Sequence, residues 1–91
     1  MPTETIEATA SIVKGDEVLA KGIHVCISVT VQPPAGLEEW HGVTHMPMTQ
    51  AFAFMEAGSC RIILADGRSG DLSATHVSGE YVDFQGSGML R

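Results

Sequence analysis

Residues 23–32 alternate with a strict period of two. Ile23, Val25, Ile27, Val29 and Val31 fall on one side, and His24, Cys26, Ser28, Thr30 and Gln32 on the other. Successive side chains of an extended strand point to opposite faces, and β-branched residues suit a pleated, half-buried surface. A helix would spread the same residues around its whole circumference. The chain therefore has to build a sheet with one buried face and one face at least partly wet. Pro33-Pro34 ends this strand, because proline has no N–H to give to a ladder.

The rest of the chain repeats the pattern in shorter pieces. Turn signals recur at Lys14-Gly15-Asp16, Gln32-Pro33-Pro34-Ala35-Gly36, Met46-Pro47-Met48, Ala57-Gly58, Asp66-Gly67 and Ser78-Gly79. Short strands with this punctuation mark a small sandwich or barrel. Residues 5–13 alternate, with Ile6, Ala8, Ala10 and Ile12 on one side, and residues 17–21 follow the first turn. Gly22 marks a bulge or bend before Ile23. Residues 50–56 are apolar on both sides, which favours a central strand over a short helix, although Ala, Met, Gln and Glu are helix formers. The final strand is 81–85, with Val82 and Phe84 inward.

Parity fixes the hairpin between residues 59–64 and 70–77. A three-residue loop, Ala65-Asp66-Gly67, pairs Ile62 with Gly70 and Cys60 with Leu72, so the apolar sides match. It also sets Arg61 opposite Asp71 and requires Gly67 to be left-handed. Sequential strands tend to be neighbours, so the expected fold is one domain over residues 1–91: an all-β, small antiparallel β-barrel or tightly curled two-sheet sandwich of about six strands, running as a meander.

Charge and length narrow the function. The formal charge is −6, with eleven acidic residues against Lys14, Lys21, Arg61, Arg68 and Arg91. No basic patch is interleaved with aromatics, so neither nucleic acid nor an anionic membrane is an expected partner. Met1-Pro2-Thr3-Glu4 opens no signal peptide, and no apolar stretch reaches bilayer-spanning length, so the expected location is cytoplasmic. Cys26 and Cys60 form no CxxC motif and read as two reduced thiols.

The candidate chemistry rests on His24, His41, His45 and His76. His24 and Cys26 share a strand face, and with His41 or His45 they could supply a zinc site or a small-ligand site. Met46-Pro47 opposes the helix that His41 and His45 need to share a side, and Cys60 reads as a buried hydrophobe. No bound metal or cofactor is expected. No Gly-x-Ser-x-Gly elbow is present. Gly67-x-x-Gly70 and Gly86-x-Gly88 open no helix and read as turns. Glu38-Glu39 reads as a solvated loop. Trp40 either anchors a partner or closes one end of the core, and the second is the expectation because small domains bury their large aromatics.

Residues 64–90 carry Leu64, Asp66-Gly67-Arg68, Gly70, Phe84, Gly86, Gly88 and Leu90. In these turn glycines and core positions the stretch resembles the C-terminal half of small uncharacterised bacterial β-barrel proteins. The resemblance covers under a third of the chain. It implies a barrel fold, no activity and no catalytic residues.

The expected function is a non-enzymatic interaction module that binds a protein partner or its own copy, through a strand edge or through Trp40, His41, His45, Met46 and Met48. The alternative is a metal- or small-ligand-binding domain using His24, Cys26, His41 and His45. The one-sided strand is directly testable. Ile27→Asp places an unpaired charge in the core and should unfold the domain, whereas Ser28→Asp should leave the thermal midpoint nearly unchanged. Equal damage at both positions would show that both faces are buried.

Overall fold

A computed structural model describes residues 3–32 and 37–91. In chain order the elements are β1 (Thr3–Lys14), β2 (Glu17–Gln32), β3 (Leu37–His45), α1 (Met48–Ala57), β4 (Ser59–Leu64), β5 (Ser69–Ser78) and β6 (Tyr81–Ser87). The strands close into a barrel in the order β1-β2-β3-β6-β5-β4, and all neighbours are antiparallel. Closure decides for a barrel against an open sandwich. Residues 33–36 of the turn expected over residues 32–36 lie outside the described residues.

The long β1-β2 hairpin follows the alternation. Ile6, Ala10 and Ile12 face Ala20, Ile23, Val25, Ile27 and Val29 in the core. The ladder slips between Ala10↔Ile23 and Ile12↔Ala20, leaving Lys21 and Gly22 on the long side. Gly22 has φ +67°, a conformation that glycine adopts without a Cβ penalty, so the bulge sits where the sequence marks it. The β4-β5 hairpin keeps the expected register of Cys60↔Leu72, Arg61↔Asp71 and Ile62↔Gly70. Gly67 has φ +97°, and Arg61 Nη1 lies 3.2 Å from Asp71 Oδ1.

Three expectations need correction. Residues 50–56 are not a strand: they lie in helix α1, where Ala51 and Phe54 are buried three residues apart and Phe52 is 53% exposed. The helix formers outweigh the two-sided apolar pattern, since ten residues between Pro47 and Gly58 make nearly three turns, about 15 Å of rod. Residues 38–39 are not a loop but part of β3. The order is also not a simple meander. The runs β1-β2-β3 and β4-β5-β6 are each a meander, and α1 carries the chain between them, so that β3 pairs with β6 and β1 with β4.

Each end of the core has its own plug. Phe54 and Met46, at most 1% exposed, close the end where α1 lies. Lys14 of β1 anchors α1 there: its Nζ donates to the carbonyls of Ala57 at 2.5 Å and Ser59 at 3.0 Å. These contacts put a cation at the helix C-terminus, where the last carbonyls lack partners. Trp40, 1% exposed, closes the other end. Its indole meets Phe84 edge-on at 6.4 Å, and Nε1 donates to the Gly88 carbonyl at 2.9 Å. The chain end then folds back, with backbone bonds between Ser69 and Arg91 in both directions and Leu90 buried.

The indole lies flat against the glycines of β5 and β6. A Cβ on Gly86 would stand 1.9 Å from Trp40 Cε2, and one on Gly70 would stand 2.9 Å from Cζ2. Gly86→Ala should therefore cost about 3 kcal/mol in urea unfolding, at the upper end of ordinary overpacking. In a Trp40→Leu background, the added cost of Gly86→Ala should fall by at least about 1 kcal/mol, because the two sites share one contact. An unchanged cost would show that the indole is not what excludes the methyl group.

Candidate functional site

Strand parity sorts the candidate residues. On β3, Trp40 and Thr44 point into the barrel, and Met46 just beyond it is also buried, while His41, Val43 and His45 point out. Trp40 and Met46, at 1% exposure each, are therefore core residues and not the partner contacts expected of them. His41 and His45 remain on the outer face, and Met48 at the start of α1 is 50% exposed.

Three of the four candidate ligand residues come together. His24, Cys26 and His45, with Val43, Thr44 and Tyr81, line an outer-face concavity of about 110 Å³. His45 Nε2 lies 2.9 Å from Glu80 Oε1, and its ring meets Tyr81 edge-on with centroids 5.1 Å apart. Buried Thr44 donates through Oγ1 to the His24 carbonyl at 2.7 Å, tying β3 to β2 beneath this surface. His41 lies outside the concavity, in register with Ser28 and Gln85, and His76 stands opposite Asp83. Among the described residues, no group of three or more His, Cys, Asp or Glu side chains is placed to hold a metal ion. The concavity is also smaller than the roughly 300 Å³ at which ordinary ligand pockets begin.

Two grooves of about 250 Å³ are larger. One runs past Lys14, Cys60, Arg61 and Asp71. Its cations are engaged: Lys14 on the end of α1, and Arg61 on Asp71 and on Ser69 Oγ at 3.0 Å. Burial pushes the Cys60 thiol above its ordinary value of 9.0, and nearby Lys14 offsets this only in part. An activated cysteine needs the reverse, a thiolate favoured by its surroundings. Asp66 is held below its ordinary value of 3.8, first by the Arg68 backbone N–H at 2.9 Å and then by the Arg68 side chain. Both shifts belong to structural roles, a core thiol and a turn carboxylate. The second groove lies beside the β1-β2 bulge, along Thr9, Ser11, Lys21 and Ile63.

The surface that the sequence reading missed is on α1. Met48, Phe52 and Met55 are 50%, 53% and 36% exposed, at positions i, i+4 and i+7. This spacing puts them on one side of the helix. The spacing is present in the sequence but is visible only if the segment is read as helical.

No protein-family model, no curated protein and no solved structure matches the chain. No helix among the described residues is long and apolar enough to cross a membrane.

Folding should protect the Cys60 thiol. At pH 8, iodoacetamide should label Cys60 of the folded protein at least roughly tenfold more slowly than Cys60 of the urea-unfolded chain. Burial excludes the reagent, and a raised pKa leaves less thiolate at every pH below it. Peptide mass spectrometry reads each site, and equal folded and unfolded rates at Cys60 would show that the thiol is open.

Proposed function

We propose that this chain is a non-enzymatic interaction module that engages protein, a partner or a second copy, through the outer side of α1. The observation that carries the reading is the stripe of Met48, Phe52 and Met55. The inner side of α1 already meets the barrel's need for a plug through Ala51 and Phe54, so the outer side has no packing role inside the chain. Within α1 only Glu56 is charged, which leaves an apolar surface with little polar cover. Exposed apolar patches of this kind mark contact sites, and methionine supplies an adaptable one.

A photoreactive phenylalanine analogue in place of Phe52, expressed in the cells that make the protein, tests the reading. Cross-links to a protein or to a second copy should exceed those from the same analogue at exposed Ser78 at least roughly fivefold, as expected if binding energy concentrates in a few residues. Met55→Glu should abolish them while leaving the thermal midpoint unchanged. Position 52 yielding no more adducts than position 78 would overturn the proposal.

A further inference from the structure

Barrel closure leaves several stretches of strand with one strand partner only, among them residues 17–24 of β2, 74–78 of β5 and 3–8 of β1. β1 pairs with β2 along nearly its whole length, from Thr3↔Thr30 to Lys14↔Glu17, but with β4 only from Ala10↔Leu64 to Val13↔Arg61. One backbone bond, from Ala65 N to the Thr9 carbonyl, extends that contact. Beyond it, no described strand pairs with the other side of residues 3–8. The stretch lies at the Trp40 end of the barrel, away from α1, where β2 and β3 also run on beyond the closed part. The molecule is accordingly elongated, at 41 × 26 × 21 Å.

We infer that this edge accepts an extended basic peptide as an added strand. Six extended residues offer about 20 Å of ladder, and outward N–H and C=O groups are a template for another chain. Glu4 and Glu7 decide which chain fits. They are three residues apart, so on a strand they lie on opposite faces, and both are exposed. A strand laid beside them places residues i and i+3 against the two carboxylates, and basic residues there form opposite-charge cross-strand pairs. A loop cation of the same chain already approaches one of these carboxylates. Arg68 Nη1 reaches to 3.8 Å from Glu4 Oε1 while Arg68 Nη2 holds Asp66 Oδ2 at 2.8 Å, so an incoming cation takes a place that a guanidinium of this protein approaches.

A second copy is the wrong occupant. Pairing β1 with β1 sets two carboxylate-bearing strands side by side in chains of formal charge −6 each, and like charges across strands repel. Glu4 and Glu7 thus exclude self-pairing and admit a basic strand.

The probe is a seven-residue threonine–valine peptide, capped at both ends, with lysine at its second and fifth positions. Titrated into isotopically labelled protein, it should shift the amide signals of residues 3–8 and slow their hydrogen exchange. Raising the salt should weaken the binding. Glu4→Gln with Glu7→Gln should lower affinity at least roughly tenfold without moving the thermal midpoint, because both side chains are exposed. A peptide with glutamate at both lysine positions should not bind. The Phe52→Glu variant should bind the peptide as the wild type does, which separates this edge from the α1 surface. No binding at millimolar peptide, shifts centred on α1 or on the histidine face, or undiminished binding by the double Gln variant would each overturn the inference.

Discussion

The indole of Trp40 lies where the two meanders meet. Strand β3 presents it, β5 and β6 receive it on Gly70 and Gly86, and Gly88 accepts its N–H at 2.9 Å. These contacts set several things at once. Glycine is required at 86 because a methyl group would stand 1.9 Å from the ring. The chain end turns back over the indole, so that Leu90 is buried and Arg91 joins Ser69. One large aromatic thus converts two glycines, which alone would weaken strands, into a well-packed corner. A second close approach, Gly42 against Phe84 and the Cys26 carbonyl, lets β3 lie tightly between β2 and β6 below it.

Closure has a functional consequence. A barrel removes most of the unpaired strand edge that would invite indiscriminate association. What remains outward-facing differs by region. The outer side of α1 carries an apolar stripe, the outer face of β2 and β3 carries imidazoles and a thiol around a shallow concavity, and residues 3–8 of β1 carry two exposed carboxylates. Two cations are held by carbonyls or a carboxylate of the same chain, Lys14 by Ala57 and Ser59 and Arg61 by Asp71.

Much of the fold was legible because period two is a short-range property. The alternation of residues 23–30, the bulge at Gly22 and the loop at 65–67 each depend on a few neighbours, and each is found in place, while Val31, expected on the buried side, is exposed. β3 was hidden for an identifiable reason. Its inward positions are Trp40, Gly42 and Thr44, so only one of the three has the apolar signature that a pattern search relies on. Gly42 is inward because Phe84 fills its space, and Thr44 is tolerated in the core because it bonds the His24 carbonyl. Both reasons lie on other strands.

The sequence by itself determined that the chain makes antiparallel strands with one buried face, where several of its turns fall, and that its overall charge is acidic. These follow from steric preferences and alternation within a few residues. Only the tertiary structure decided that α1 plugs one end while Trp40 closes the other, that β3 joins β6, and that His41 stands apart from His24 and His45. The same holds for the exposed side of α1 and for the free edge of β1. Which side of a helix is left over depends on what the barrel takes, and whether a strand has a second neighbour depends on where a partner fifty residues away stops pairing, as β4 does at Leu64.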